Sequence, residues 1–321
     1  LLPEMGNLRP GALSDLDSQR ARDFAASLQA VASAATLALL RRHVLPGDHL
    51  CLTGGCALNV IINRDRLREV PLAGLYVRPC PHDGGLGLGA GLYLRSHIEG
   101  RQSNIDGLDP FLGLTDLDTV RRSELPLLAN DGLPAMTIAD LGRECQVEAA
   151  VRLLVQGEVI GWCHGRPELG PRALGNRSFL ADPARDWMCA HLNKRIKHRE
   201  PFRPYGLSLR EENVPRVLDT AVRSPYMMIA GTLRERWRSA LPAVVHVDGT
   251  TRLHTVSRRA NPLFWELLAA FEAASGVPGL LNTSYNLPGE PIAETVTDCL
   301  RVFCDTPIRH LFVGGQQLSK G

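Results

Sequence analysis

The sequence lacks the short motifs that define several common enzyme classes. None of its eight cysteines forms a CxxC pair, so neither a zinc ribbon nor a thioredoxin-type redox site is indicated. The patterns HExxH, GxSxG and GxxxxGK[ST] are absent as well, which excludes the zinc protease, serine hydrolase and P-loop signatures. The cysteines lie mostly in apolar runs, which is typical of buried reduced thiols in a cytoplasmic protein.

The chain also has little net charge and no repeats. It carries 36 Lys and Arg against 34 Asp and Glu, a net charge of +2, which gives no global attraction to nucleic acid or to a membrane surface. No signal peptide is evident, and we expect no apolar stretch of membrane-spanning length. Its 321 residues suffice for about two domains at roughly 150 residues each.

Helix and strand patterns alternate along the chain, which predicts an α/β fold. An amphipathic helix is predicted over residues 15–43, from apolar residues at three- and four-residue spacing. Strands are predicted at 50–53, 75–77, 158–163 and 279–282, and further helices at 145–156, 186–196, 262–275 and 295–304. Residues 100–139 lack strong periodicity and are interpreted as a junction between two domains.

One glycine-rich segment, which we call the arginine turn (residues 165–178), follows the predicted strand 158–163. It holds Arg166, Arg172 and Arg177 together with three glycines and Glu168. Glycines let the backbone approach a ligand closely, and guanidinium groups bind oxyanions through two bonds at a time. The surrounding stretch 166–210 contains ten Lys or Arg and four Asp or Glu, a local excess of +6. The segment therefore predicts a site for a phosphate or carboxylate ligand.

Three further clusters could converge on the arginine turn: a basic run at 194–204, residues 246–252 and residues 282–286, the last two at predicted strand ends. Lys197 and Arg199 alternate, so in extended backbone both would project to one face, and Ser284 and Asn286 would do the same. Together they would suit a phosphorylated, amide-bearing ligand. The alternatives are a solvated charged face for the basic run and ordinary turn-forming residues for 282–286.

The first half of the chain offers two weaker candidates. Gly54 and Gly55 follow a short strand and precede a helix, an arrangement that can present backbone N–H groups to a nucleotide or phosphate, although double glycines are common. Asp83 stands before two glycines, so it is either a turn residue or a metal ligand or catalytic carboxylate. His82 could be a second ligand, but adjacent residues rarely share one metal.

The ordered set of these stretches resembles the NodU/CmcH-type O-carbamoyltransferases over nearly the whole chain. The similar segments are Gly54-Gly55-Cys56-Ala57-Leu58-Asn59, Asp83-Gly84-Gly85, the arginine turn, residues 197–204, 224–227, 246–252 and 282–286. The resemblance implies the second half of an actin-like (ASKHA) module at 1–120, followed at 140–321 by a YrdC-like α/β domain with a twisted mixed sheet. YrdC-like proteins carry Lys-x-Arg and Ser-x-Asn signatures, which Lys197-x-Arg199 and Ser284-x-Asn286 match.

The resemblance also implies a two-step reaction with ATP and carbamoyl phosphate. Carbamoyl-adenylate would form at the YrdC-like site with Mg²⁺, and the carbamoyl group would then pass to a substrate hydroxyl at an actin-like site with Fe²⁺ or another divalent metal. The implied catalytic residues are Lys197, Arg199 and Arg172, and the implied metal ligand is Asp83. The implied nucleotide- and carbamoyl-phosphate-binding residues are Arg166, Arg177, Arg203, Arg252, Thr283, Ser284, Asn286, Gly54, Gly55 and Asn59.

The expected acceptor is a hydroxylated natural product, as in antibiotic biosynthesis, and the expected partners include neither nucleic acid nor membrane, with a homodimer as an open possibility. The family's actin-like module begins with a segment that this chain lacks, which would carry a His-x-x-x-His metal pair; we therefore expect a fragment or subunit. His254 stands where a glutamine is expected. Two alternatives stay open: a tRNA threonylcarbamoyl-adenylate synthase and a non-catalytic nucleotide-binding fragment. Hydrogenase maturation is disfavoured by the missing CxxC arrays.

Overall fold

The protein is described here from a computed structural model, which covers residues 18–101, 109–119, 125, 136–219 and 222–321. The chain divides into two compact units, Leu1–Cys51 with Ile61–Tyr76, and Leu52–Val60 with Val77–Gly321. The boundary predicted from the sequence, between residues 120 and 140, is a different one and stays a prediction.

The first unit is built on helix α1 (Gln19–His43), which begins after Ser18, whose Oγ accepts a hydrogen bond from the Ala21 N–H at 3.2 Å. Strands β1 (His49–Leu52) and β2 (Gly74–Val77) pair in a two-stranded sheet, and helix α2 (Val60–Glu69) lies between them in sequence. Ser33 on α1 donates to the Asp65 carboxylate on α2 at 3.1 Å. This bond ties the two helices of the unit together.

Helix α1 corrects the expectation that no apolar stretch reaches membrane-spanning length. An 18-residue window within it has a mean hydropathy of 1.4, and none of that window is buried. Leu28, Val31 and Leu39 of the predicted apolar face are about half exposed. The helix is long and apolar enough to cross a membrane by length and composition, a criterion that core helices and signal sequences also meet.

The second unit contains a nine-stranded mixed sheet, which confirms the α/β class with a large mixed sheet. Its strands follow the order β3-β11-β10-β4-β5-β9-β6-β8-β7. Neighbours β10 and β4 are parallel, as are β6 and β8, and the other pairs are antiparallel. The bounds are β3 (Met136–Asp140), β4 (Ile160–Cys163), β5 (Arg177–Ala181), β6 (Gly206–Arg210), β7 (Ile229–Thr232), β8 (Thr250–Val256), β9 (Gly279–Ser284), β10 (His310–Val313) and β11 (Gln316–Lys320).

Helices cover the sheet on both faces. Because side chains alternate along a strand, β5, β9 and β10 contribute Leu180, Leu280 and Phe312 to one core and neighbouring residues to the other. The first core is closed by helices α4 (Arg143–Val155) and α8 (Pro262–Ser275), and the second includes residues of α5 (Met188–His191) and α9 (Val296–Asp305). The helices are α3 (Leu86–Tyr93), α4 (Arg143–Val155), α5 (Met188–His191), α6 (Val214–Val217), α7 (Glu235–Ala240), α8 (Pro262–Ser275) and α9 (Val296–Asp305).

Shorter helical turns fill several connections between these elements. They are 3₁₀ turns at Gly55–Leu58, Asp83–Gly85, Leu117–Thr119, Glu211–Asn213 and Pro242–Val244, and π-helical segments at Leu94–Ile98 and Leu192–Ile196. One sequence expectation is corrected here: residues 136–139, interpreted as part of an irregular junction, belong to the edge strand β3.

One edge of the sheet collects the segments that carry the predicted site. Strands β4 and β9 end there while β5, β6 and β8 begin there, as the paired positions Cys163 with Arg177 and Ser284 with Ser178 show. Gly206 at the start of β6 is paired with both Asn282 of β9 and Arg252 of β8. Residues 246–252 therefore lead into a strand rather than follow one. The edge brings together the arginine turn, residues 246–252 and residues 282–286.

Candidate functional site

Lys197 is the first predicted site residue on this edge, and it contacts the Ser-x-Asn segment directly. Its Nζ donates to the Ser284 carbonyl at 2.6 Å and to the Asn286 Oδ1 at 2.7 Å, with longer contacts to the Asn286 carbonyl at 3.1 Å and the Ser284 Oγ at 3.4 Å. Ser284 in turn donates to the Asn286 Oδ1 at 2.7 Å. The structure thus brings the Lys-x-Arg and Ser-x-Asn segments together.

The protonation state of the Lys197 amine depends on opposing effects of its surroundings. Burial, together with the nearby Arg199 guanidinium, lowers the pKa of Lys197 to about 7. The four surrounding oxygen atoms favour the ammonium form and act against this shift. Lys197 can therefore exchange a proton near neutral pH, and a bound anion would hold it in the charged form.

Arg199 corrects the expectation that it shares one extended face with Lys197. The backbone between α5 and Lys197 is the π-helical segment Leu192–Ile196, and His198 has a positive φ of 43°. The two side chains consequently take separate routes: the Arg199 Nε donates to the Asn193 Oδ1 at 2.7 Å, and its guanidinium lies 4.5 Å from the centre of the Tyr205 ring. Alternation failed as a guide because the segment is not a strand.

Arg252 and Arg172 complete a group that we call the cation cluster (Arg172, Lys197, Arg199 and Arg252). Burial, followed by the charges of Arg172 and Arg199, lowers the pKa of Arg252 to about 9. Burial also lowers the pKa of Arg172. Within the described residues, the Arg252 Nε is buried without a hydrogen-bond partner, and no carboxylate pairs with any of the four cations.

Arg177 is predicted to bind ligand, but the structure does not bring it to the cation cluster. It is fully buried, and its guanidinium donates to the carbonyl oxygens of His164 at 2.7 Å and Asn176 at 2.8 Å. Longer bonds reach the carbonyls of Gly165, Glu294 and Thr115, at 3.1, 3.3 and 3.4 Å. This arginine holds the arginine turn against its neighbours.

Glu168 shapes the arginine turn and was missed as a functional residue. Its buried Oε1 accepts hydrogen bonds from the backbone N–H groups of Leu174, Asn176 and Arg177, at 2.7, 2.8 and 3.1 Å. A carboxylate that satisfies three N–H groups fixes the loop that presents Arg172. The available signal was a single acidic residue within a glycine- and arginine-rich turn.

A buried polar group beside Arg252 joins Asn282, from the predicted cluster 282–286, to Ser208 and His254, a contact that the sequence did not predict. Asn282 donates from Nδ2 to the Ala173 carbonyl at 3.1 Å and to the Ser208 Oγ at 3.0 Å, and Ser208 contacts the His254 Nδ1 at 2.9 Å. Burial lowers the pKa of His254 to about 3, so this imidazole is neutral and adds no charge. The group joins the arginine turn to strands β6, β8 and β9. No short motif signals such a contact between three strands.

The remaining predicted residues of this edge lie in more open positions. Arg166 is exposed, and Arg203 is about half exposed and forms an ion pair with Glu200 at 2.7 Å. Thr283 is half-buried within β9, paired with Phe179 of β5. These residues flank the cation cluster in sequence, but no described hydrogen bond or ion pair links their side chains to it.

The glycine turn at residues 54–59 is linked to the arginine turn through Arg172. The Arg172 Nη2 donates to the Leu58 carbonyl at 3.1 Å. Gly54 has a φ of 86° and donates to the Pro81 carbonyl at 2.7 Å, while open space lies where side chains on Gly54 and Gly55 would stand. Asn59 ends the 3₁₀ turn and donates its N–H to the Cys56 carbonyl at 3.2 Å.

Asp83 begins a 3₁₀ turn after His82, whose Nδ1 accepts from the Gly84 N–H at 3.2 Å and lies 3.4 Å from the Cys80 Sγ. Among the described residues, no group of three or more His, Cys, Asp or Glu is arranged to hold a metal ion. One carboxylate does not make a metal site, so the described residues do not fit a resident metal at Asp83.

Comparison with known proteins identifies the family. The carbamoyltransferase C-terminus family matches residues 151–320, and the carbamoyltransferase N-terminus family matches residues 9–92. The chain therefore belongs to the carbamoyltransferase family. It is 37% identical to the nodulation protein NolNO of Sinorhizobium fredii over 94% of this chain and 45% of that protein.

Other relatives give the same picture. The nodulation protein NolO of Bradyrhizobium diazoefficiens is 37% identical over 92% of this chain and 54% of its own length. The nodulation protein U of Rhizobium tropici is 35% identical over 78% of this chain and 40% of that protein. The chain thus spans about half the length of these relatives. A crystal structure of HypF from T. kodakarensis covers 53% of this chain and 21% of its own, at 14% identity and a TM-score of 0.39, too weak a likeness for an argument.

Proposed function

We propose that this chain carries the carbamoyl-activating site of an O-carbamoyltransferase, which makes carbamoyl-adenylate from carbamoyl phosphate and ATP. In balanced form, water takes the phosphoryl group of carbamoyl phosphate, the resulting carbamate oxygen attacks the α-phosphorus of ATP, and pyrophosphate leaves. The activated group would then pass to a hydroxyl of a natural-product acceptor. Within the chain, the proposed division is an actin-like part at 1–120 and a YrdC-like part at 140–321.

One observation carries the proposal: Arg252 is half-buried beside Arg172 and Arg199, its Nε is buried without a hydrogen-bond partner, and no described carboxylate pairs with it. Like charges that converge in a low dielectric repel one another, and an unpaired buried charge is costly. A ligand with several negative charges removes both costs. Carbamoyl phosphate and the triphosphate of ATP are such ligands, and the family uses a carbamoyl donor.

Each residue of the edge has a role in this proposal. The cation cluster would neutralise the charge that builds up on the phosphate oxygens as pyrophosphate leaves. Ser284 and Asn286 would bind the carbamoyl amide or a phosphate oxygen, and they already hold Lys197 in place. Mg²⁺ would enter with the ATP phosphates, since this ion is commonly bound through them. The open glycine turn at 54–59 would lie against a second nucleotide.

The test is carbamoyl-phosphate-dependent exchange of labelled pyrophosphate into ATP. We expect Lys197→Ala and Arg199→Ala each to lower the exchange by about 100- to 1,000-fold, because each removes a charge that the leaving group needs. Arg309→Ala serves as the control, since this exposed arginine precedes β10 at the opposite edge of the sheet. Full exchange in both site variants would overturn the assignment.

Two other outcomes would favour the alternative functions over carbamoyl-adenylate formation. Exchange that runs with threonine and bicarbonate in place of carbamoyl phosphate would favour the threonylcarbamoyl-adenylate reaction. Tight ATP binding by the wild-type chain without any exchange would favour a nucleotide-binding fragment. Either result would replace the proposed reaction.

A further inference from the structure

The strongest unassigned feature of the site is a single buried amide, Asn193, at the centre of the loop that carries Arg199. Asn193 is 1% exposed and lies in the π-helical segment Leu192–Ile196. Its Oδ1 accepts from the Arg199 Nε at 2.7 Å and from the Tyr205 hydroxyl at 2.6 Å. Its Nδ2 donates to the carbonyls of Arg203 at 3.0 Å and Pro201 at 3.2 Å.

The partners of Asn193 fix the orientation of its amide. The Arg199 Nε and the Tyr205 hydroxyl are donors, and burial raises the pKa of Tyr205, so its proton stays in place. Both partners of Nδ2 are carbonyl oxygens, which only accept. Exchanging the oxygen and nitrogen of the amide would set donor against donor and acceptor against acceptor. Four satisfied hydrogen bonds therefore make Asn193 a rigid anchor.

The anchor acts on Arg199 through three contacts. Besides the bond to the side chain, the Asn193 carbonyl accepts from the Arg199 N–H at 3.0 Å, and the Tyr205 ring that Asn193 holds lies under the guanidinium. Between Lys197 and Arg199 the backbone passes through the positive φ of His198, a strained conformation that surrounding contacts must maintain. Releasing Asn193 would let Arg199 leave the neighbourhood of Arg252.

We propose that Asn193 is a positioning residue for carbamoyl activation, which holds the Arg199 guanidinium within the cation cluster. The proposal rests on the function proposed above, because Arg199 matters only if the cluster binds the reacting phosphates. Asn193 itself need not touch the substrate. Its effect on the reaction should therefore pass entirely through Arg199.

A double-mutant cycle tests this dependence. We expect Asn193→Ala to lower kcat/KM for pyrophosphate exchange by about 10- to 100-fold, the value of a hydrogen bond to a charged group. Combining Asn193→Ala with Arg199→Ala should cost no more than Arg199→Ala alone. Multiplying losses would overturn the proposal. The control is Asn213→Ala, a buried asparagine bonded to Glu272 and Pro278, whose effect should multiply with that of Arg199→Ala.

A second measurement needs no turnover. Phenylglyoxal labels accessible guanidinium groups, and peptide mass spectrometry gives the rate at Arg199. We expect faster labelling in Asn193→Ala than in wild type, and slow labelling in Asn193→Asp, which keeps the acceptor for Arg199. Equal labelling rates in wild type and Asn193→Ala would contradict the proposal. If the alanine variant does not fold, fast labelling of Arg199 in Asn193→Asp would contradict it instead. If wild type shows no exchange, the proposed reaction fails while labelling still decides the role of Asn193.

Discussion

Two arginines at the same edge of the sheet, the buried Arg177 and the half-buried Arg252, differ in what surrounds their guanidinium groups. Arg177 begins β5, and its guanidinium meets five backbone carbonyls. Arg252 lies near the start of β8, beside Arg172 and Arg199, and no hydrogen bond from its guanidinium is described. The Nε atoms of both arginines lack a partner, so the difference lies in the terminal Nη groups. Sequence alone treats both as candidate ligand-binding residues, because both stand in glycine-containing segments next to strands.

The difference distinguishes an arginine that stabilises the fold from an arginine that is available to bind a ligand. A buried cation whose terminal N–H groups donate to protein carbonyls stabilises the fold and has few donors left for a ligand. A partly buried cation among other cations costs stability until an anion arrives, so its presence requires a functional explanation. The comparison therefore makes opposite predictions for stability and for activity at the two positions.

The largest expected effect is on folding, at Arg177. We expect Arg177→Ala to lower the free energy of unfolding by about 3–5 kcal/mol, because it leaves several buried carbonyl groups without a hydrogen-bond donor. Urea denaturation followed by circular dichroism measures the change. A loss below about 1 kcal/mol would show that the carbonyl contacts contribute little to stability, and Arg177 would then not be the stabilising arginine of the pair.

The next effect is on activity, at Arg252. We expect Arg252→Gln to lower pyrophosphate exchange by about 100-fold or more, since oxyanion-stabilising groups contribute about that much. The same variant should unfold at a urea concentration no lower than wild type, because it removes an unpaired and partly buried charge that lies among other cations. Loss of stability together with retained exchange would reverse the roles assigned to Arg252 and Arg177.

A smaller effect on the free energy of unfolding is expected at Glu168, which stabilises the arginine turn as Arg177 does. We expect Glu168→Gln to cost about 1–3 kcal/mol of unfolding free energy, because a neutral amide accepts more weakly from the three N–H groups of the turn. Glu144→Gln, in the first turn of α4, is a surface control. Denaturant midpoints compare the two variants, and equal midpoints would mean that the turn holds its shape without the carboxylate.

The smallest effect is the pH dependence of Lys197. With a pKa of about 7, its ammonium form is present below that pH and is lost above it. We expect kcat/KM for exchange to fall by up to about tenfold per pH unit above neutrality, and the fall to disappear in Lys197→Arg. The free energy of unfolding changes with pH in the opposite direction to the activity. Between pH 7 and 10.5 the Lys197 amine binds a proton in the unfolded chain but not in the folded chain, so the stability of the fold rises with pH. A flat profile in wild type would argue that the ammonium is not required.

Local sequence rules predicted much of the fold. Helix α8 occupies the predicted residues because Asn261 accepts from the Phe264 N–H, Pro262 opens the first turn and Gly276 ends the helix with a φ of 74°. The limits of this helix depend on short-range patterns, which a single sequence displays. The meeting of Lys197 with Ser284 and Asn286 joins distant segments, and it was expected from the family resemblance of the Lys-x-Arg and Ser-x-Asn signatures.

The parts that could not be predicted depend on contacts between distant segments. The separate paths of Lys197 and Arg199 result from a π-helical segment and one positive φ at His198, neither of which has a compositional signature. The contrast between Arg177 and Arg252 depends on which carbonyls the fold brings near each guanidinium. Asn193 carries no signal in its own neighbourhood, because its main partners lie six to twelve residues away.

The π-helical segment Leu192–Ile196 also sets the direction in which Lys197 enters the site. The Lys197 N–H donates to the Leu192 carbonyl at 2.8 Å, five residues back, so this turn holds one residue more than an α-helical turn would. If the same residues closed as a regular α-helix, Lys197 would be displaced around the helix axis by about 100°, the rotation of one α-helical residue. Lys197 would then point away from Ser284. The one extra residue of this turn therefore decides whether the Lys-x-Arg and Ser-x-Asn segments can meet.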